Sequence, residues 1–167
     1  MSQVTLVLGG ARSGKSARAL ALARPPRIFV ATGEALDDEM AARINAHKAE
    51  RGSDWNLIEE PLDLCGALTG RHSGETIVVD CLTLWLSNLM HHQRDIDIET
   101  AQLIVLLDKI EAQVILVSNE IGLGLAPMES LSRAFRDAQG RLNQAIAQVA
   151  DSVEFVVAGL PVVVKAP

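Results

Sequence analysis

Gly9-Gly10-Ala11-Arg12-Ser13-Gly14-Lys15-Ser16 is the stretch that decides the fold. It fits G-x-x-x-x-G-K-S at every fixed position, the pattern of a phosphate-binding loop. Glycine lets the backbone curl so that its N–H groups point inward at phosphate oxygens, and the helix that follows presents its positive end to the same anion. Lys15 supplies a point charge for the β and γ phosphates, and the Ser16 hydroxyl is a ligand for Mg²⁺. The bland alternative is a glycine-rich turn that only opens a helix. Context argues against it: Val4 to Leu8 is an apolar run that reads as a buried strand, and Lys15 to Arg24 is an Ala- and Leu-rich helical stretch closed by Pro25-Pro26.

Working outward, further strands are expected at Arg27 to Ala31, Trp55 to Glu59, Thr76 to Asp80 and Gln113 to Ser118, with closing strands at Val153 to Ala158 and Val162 to Lys165. Helices are expected from Asp37 to about Glu50, and over Leu82 to Met90, Ile98 to Glu111 and Leu131 to Ala150. Strands alternating with helices imply an α/β fold, a mainly parallel sheet covered on both faces. Gly159 and Pro161 part the last two strands, so the final short one is expected to run antiparallel.

Composition agrees. Apolar residues make up 49% of the 167 but aromatics only 3%, which suits aliphatic strands buried between helices. The length suits one domain over residues 1–167. A net charge of −6 argues against a binder of nucleic-acid backbones, which needs a basic face. Cys65 and Cys81 show neither metal-ligand spacing nor a disulfide framework, so a reducing, cytoplasmic setting is expected. No apolar run reaches membrane-spanning length, and no signal-peptide pattern opens the chain.

A phosphate-loop enzyme needs an acid at a neighbouring strand end to hold magnesium, and Thr76-Ile77-Val78-Val79-Asp80 offers one. The competing reading is that Asp80 merely ends its strand or caps the helix near Leu82. A guanine-specific switch would carry N-K-x-D after a late strand. Ser118-Asn119-Glu120-Ile121 stands there instead, and the length best fits a small-molecule kinase. Arg133, Arg136 and Arg141 are candidates to neutralise phosphates, though solvated arginines on a helix face are the commoner case. In the expected helix after Asp37, Met40, Ile44 and His47 share one face, and Arg43, His47 and Arg51 follow at spacing four. A neutral imidazole is a nucleophile toward phosphorus, and flanking cations would keep it neutral. Pattern alone also allows an unemployed surface histidine, which is the more frequent outcome.

Several blocks together resemble one family. They are the loop from Gly9 to Ser16, Ala31-Thr32-Gly33, the run from Leu36 to Ile44 with His47, Ser118 to Gly124 with Pro127, and Arg133 to Asp137 with Gly140, Arg141, Asn143 and Gln144. They are similar to those of the bifunctional adenosylcobinamide kinase / adenosylcobinamide-phosphate guanylyltransferases, over nearly the whole chain. The resemblance implies a RecA-like domain, a homotrimer, and two reactions in cobalamin assembly. Adenosylcobinamide is phosphorylated with ATP or GTP, and GMP from GTP is then placed on that phosphate through a guanylylated histidine. That histidine matches His47, with Lys15 as the second catalytic residue. The resemblance also implies GTP contacts at Gly9, Gly10, Ala11, Arg12, Ser13, Gly14, Lys15, Ser16, Ala31, Thr32, Gly33, Lys48, Ala49, Glu50, Arg51, Glu59 and Asp80. Magnesium falls to Ser16 and Asp80. Ala46 stands where some relatives carry a second histidine, so one imidazole serves here, and His72, His91 and His92 are expected at the surface. Another small-molecule kinase, or a non-catalytic nucleotide-binding module, remains the alternative on residues alone.

Overall fold

The computed structural model describes residues 3–34, 38, 41, 42 and 54–167. Seven strands form one sheet in the order β3-β2-β4-β5-β1-β6-β7. They are β1 (Gln3–Gly9), β2 (Arg27–Ala31), β3 (Trp55–Glu59), β4 (Thr76–Asp80), β5 (Gln113–Asn119), β6 (Ser152–Val157) and β7 (Leu160–Lys165). All pairings are parallel except β6 with β7. The helices are α1 (Lys15–Leu22), α2 (Leu64–Leu68), α3 (Leu82–His91), α4 (Ile96–Leu107) and α5 (Ser130–Val149). Of the expected helix after Asp37, only Asp38, Ala41 and Ala42 are described, and they are helical.

The central strands β1, β2, β4 and β5 are nearly all apolar because both of their faces are covered. Their two-residue period sorts side chains between two cores. Val4, Leu6, Ile28, Val30, Ile77, Val79, Val114 and Leu116 face one side, where Trp85, Leu103 and Leu142 of α3, α4 and α5 pack. Val7, Phe29, Val78, Ile115 and Val117 face the other, against Ala19 of α1. The indole of Trp85, fully buried, donates to the Leu62 carbonyl at 2.8 Å.

Some boundaries differ from expectation for visible reasons. The helix α4 begins at Ile96 because the Asp95 side chain caps it, accepting from the Ile98 N–H at 3.1 Å, and ends at Leu107 rather than Glu111. The short α2 escaped the pattern because it holds five residues with a glycine in the middle; Asp63 caps it by accepting from Gly66 N–H. The last turn is Ala158-Gly159, not Gly159-Pro161. Both residues take positive φ (52° and 78°), the mirror-image turn whose twist matches antiparallel strands. Pro161 therefore lies inside β7, which it can do because β7 is an edge strand.

Candidate active site

The chain leaves β1 at Gly9 and enters α1 at Lys15, and the turn between them is tightly determined. The Ser13 N–H donates to the Gly10 carbonyl at 3.3 Å, Arg12 has φ of 55°, and Gly14 has φ of 92°. Gly14 is the helix N-cap and has no side chain to fill that role. The N–H groups of Gly14, Lys15, Ser16 and Ala17 donate to no described residue. Four unsatisfied donors at a helix start form an anion site. The Lys15 ammonium folds back over the turn and donates to the Gly10 carbonyl at 3.3 Å.

Two outside contacts hold the loop. Glu120 N–H, just past β5, donates to the Gly9 carbonyl at 3.0 Å, and Gly159 N–H in the β6–β7 turn donates to the Ser13 carbonyl at 2.8 Å. Both fixed glycines of the motif are sterically required. A Cβ on Gly9 would lie 2.3 Å from Ser13 Oγ and 3.0 Å from the Val156 carbonyl, and one on Gly14 would lie 3.1 Å from Gly159 Cα.

Across the same edge of the sheet, Glu59, Ala31 and Asp80 end their strands in register. Asp80 pairs with Val117 of β5, whose last residue, Asn119, pairs with Gly9. Two strand spacings, about 10 Å, thus separate the strand that ends at Asp80 from the strand that feeds the phosphate loop. The helix α3 is capped by Cys81, whose sulfur accepts from Leu84 N–H at 3.4 Å, so Asp80 is not spent as a cap. The buried Cys81 thiol is pushed up to about 12, first by burial and next by the Asp80 charge, with the positive charge of Lys15 acting weakly the other way. Asp80 and Lys15 therefore share one electrostatic neighbourhood with Cys81.

The Asp80–Cys81 peptide is cis, and Thr32 braces it. Thr32 Oγ1 donates to the Cys81 carbonyl at 2.6 Å and accepts from Cys81 N–H at 2.8 Å, while Thr32 N–H donates to the Asp80 carbonyl at 3.3 Å. Asn88 of α3 completes the brace, its Nδ2 donating to the carbonyls of Thr32 (2.7 Å) and Pro61 (3.0 Å). A second buried network holds the end of β5. Ser118 Oγ donates to Asn143 Oδ1 (2.6 Å), Gln139 Nε2 donates to both, and Asn143 Nδ2 donates to the Asn119 carbonyl. Thr83 Oγ1 accepts from Asn119 N–H at 2.8 Å.

Of the residues singled out from sequence, Gly9 to Ser16, Ala31, Thr32, Gly33, Glu59 and Asp80 all lie at or beside this edge. His47, Lys48, Ala49, Glu50 and Arg51 lie outside the described residues. Ser16 and Asp80 fit magnesium, which takes one or two protein oxygens and fills its remaining positions from water and substrate phosphate. Among the described residues there is no group of three or more His, Cys, Asp or Glu side chains placed to hold a metal ion. His72, His91 and His92 are exposed, and His92 pairs with Glu34 at 3.1 Å. Sequence reasoning missed the roles of Thr32, Asn88 and the Ser118–Gln139–Asn143 group. Asn143 and Gln144 drew notice only as part of a motif. Arg133 and Arg136 spend guanidinium N–H groups on carbonyls of the segment before α5.

The model of the family described as "Cobinamide kinase / cobinamide phosphate guanyltransferase" matches residues 5–164. Similar proteins include the bifunctional adenosylcobalamin biosynthesis protein CobP of Pseudomonas aeruginosa, 45% identical, with 96% of each chain covered. The bifunctional adenosylcobalamin biosynthesis protein CobU of Salmonella typhimurium is 39% identical, covering 96% of this chain and 98% of its own. Among solved structures, one from Pyrococcus horikoshii OT3 aligns over 98% of this chain and 86% of its own, with TM-score 0.57 and 9% identity. The P4 protein from bacteriophage phi13 aligns over 96% of this chain and 53% of its own, with TM-score 0.51 and 16% identity. These two likenesses concern the fold alone.

Proposed function

The chain belongs to the cobinamide kinase / cobinamide phosphate guanyltransferase family, and on that premise we propose that it carries out both reactions at the sheet edge around Gly9 to Ser16. It phosphorylates adenosylcobinamide with a nucleoside triphosphate. It then transfers GMP from GTP to that phosphate, giving adenosylcobinamide-GDP and pyrophosphate. The observation that carries the reading is the phosphate loop itself: a strained, glycine-lined turn with Lys15 and four N–H donors that have no acceptor among the described residues, two strands from Asp80. The kinase step uses these donors to hold the β and γ phosphates while the substrate hydroxyl attacks the γ-phosphorus.

In guanylyl transfer, His47 attacks the α-phosphorus in line with departing pyrophosphate, forming a phosphoramidate; the corrinoid phosphate then displaces the histidine. Lys15 and the loop N–H groups stabilise charge developing on the leaving group. Ser16 and Asp80 would hold Mg²⁺, which when bound offsets the negative charge of the phosphates. Lys48, Ala49, Glu50 and Arg51, with Ala31, Thr32, Gly33 and Glu59, complete the proposed GTP site. We infer a homotrimer in the cytoplasm. An apolar, exposed edge strand β7 supports contact between chains, and among the described residues no helix is long and apolar enough to cross a membrane.

Incubation with α-labelled GTP tests the mechanism. Wild-type protein should acquire acid-labile GMP. His47→Ala should lose that label yet still phosphorylate adenosylcobinamide, and Lys15→Ala should be impaired in both steps. Covalent labelling retained by His47→Ala would refute the assignment.

A further inference from the structure

From the segment after β5 into the first turn of α5 the chain exposes four large apolar side chains in nine residues: Leu123 (81% exposed), Leu125 (98%), Met128 (96%) and Leu131 (69%). Exposed apolar groups at this density mark a binding surface. Nothing in the packing of the fold requires them, because the segment takes its shape from polar contacts to its backbone. Arg133 Nη1 donates to the carbonyls of Pro127 (3.0 Å) and Met128 (2.5 Å), and Arg136 Nη2 donates to that of Gly122 (2.7 Å). The Glu120 carboxylate accepts from Gly122 N–H at 2.5 Å. The backbone is thus held in place while the apolar side chains are left outward.

The segment is continuous with the phosphate loop, since Glu120 N–H bonds the Gly9 carbonyl immediately before the segment begins. It leaves from β5, near the middle of the sheet, between the strands that carry Gly9 and Asp80. An acceptor whose hydroxyl reaches the γ-phosphorus from this edge must rest its remaining bulk on what borders the loop. The other apolar patch, on β7, lies at the far end of the sheet order and suits contact between chains.

We propose that residues 121–131 form the acceptor platform, with Leu123, Leu125, Met128 and Leu131 taking the apolar face of the corrin macrocycle. This rests on the function proposed above and adds the residues that select a large, flat, partly apolar substrate over a small alcohol. Removing two such contacts should weaken acceptor binding at least tenfold, because burying one aliphatic side chain of this size is already worth that factor.

The test is the double variant Leu125→Ser/Met128→Ser in the full chain, with Leu123→Ser/Leu131→Ser as a second pair if the first fails to fold. Four quantities are measured: KM for adenosylcobinamide in phosphorylation, KM for the nucleoside triphosphate, acid-labile GMP labelling by GTP alone, and subunit number by sedimentation. The expected result is a KM for adenosylcobinamide raised at least tenfold, with nucleotide KM, labelling and subunit number as in wild type. An unchanged KM for adenosylcobinamide in the variant, with wild type active, overturns the platform and leaves the proposed function standing. A changed subunit number also overturns it, since the segment would then be a contact between chains. Wild-type protein that labels with GMP but never acts on adenosylcobinamide overturns both.

Discussion

Replacing Gly14 by alanine should disable the phosphate loop, whereas the same change at Gly10, four residues earlier in the same loop, should leave it intact. Gly14 has φ of 92°, and an L side chain forced into left-handed backbone costs about 1–2 kcal/mol. Its new Cβ would also sit 3.1 Å from Gly159 Cα, a backbone atom of the β6–β7 turn. That turn is tied to the loop by Gly159 N–H to Ser13 carbonyl at 2.8 Å, so it cannot retreat without breaking the bond. Overpacking of this kind adds about 1–3 kcal/mol. The sum, about 2–5 kcal/mol, corresponds to a Tm lowered by about 4–20 °C in a domain of this size. Nucleotide affinity should fall at least tenfold, because the strained residue is itself the helix cap that aims the free N–H donors. Gly10 has no positive φ and no heavy atom within 4 Å of a Cβ, and its carbonyl keeps both bonds, so Gly10→Ala should stay within about 0.5 kcal/mol of wild type. Calorimetry and a nucleotide titration on both variants decide the matter. Equal Tm and equal affinity in the two would refute the steric account of the motif.

Other consequences can be measured with the same instruments. Thr32→Val keeps the side-chain shape but removes the hydroxyl that bonds both sides of Cys81; two buried backbone groups lose their partner, at a cost of about 2–5 kcal/mol, and Thr32→Ser should restore most of the Tm. Glu154→Gln breaks the two-bond ion pair with Arg18 (2.7 and 2.8 Å) that ties α1 to β6, and should cost about 1–3 kcal/mol at pH 7 by chemical denaturation. The hydrogen bond from Arg18 holds the Glu154 carboxyl below its ordinary value. Its contribution is therefore full above the unfolded carboxyl value, about 4.3, and is lost as pH falls through the lower folded one. The stability gap between wild type and Glu154→Gln should shrink below about pH 4; a gap that widens there would contradict the pairing.

How far the sequence could be read depended on the kind of signal. Strands β2 and β4 match the sequence reading to the residue, because a run buried on both faces is apolar in its interior and ends where the backbone turns, and the half-exposed edge strand β3 matches it too. The helix α2 was missed because five residues with Gly66 in the middle carry no period. Asp80 was found because a carboxylate directly after four strand residues is conspicuous. Thr32 and Asn88 stood out only through a motif or not at all, since a buried hydroxyl and amide acquire their purpose from partners 27 to 56 residues away. Likewise Arg133 and Arg136, read from sequence as phosphate ligands or solvated charges, spend N–H groups on the backbone of residues 122–128.

The amino-acid sequence by itself determined the phosphate loop, the alternation of strands and helices, and the family, because each is written in local spacing or in short motifs. Tertiary structure alone decided the strand order that sets Asp80 two strands from Gly9, the bracing of the Asp80–Cys81 peptide by Thr32, and the pinning of the loop by Glu120 and Gly159. These depend on hydrogen bonds between residues far apart in the chain, and no local pattern specifies which distant partner a donor will meet.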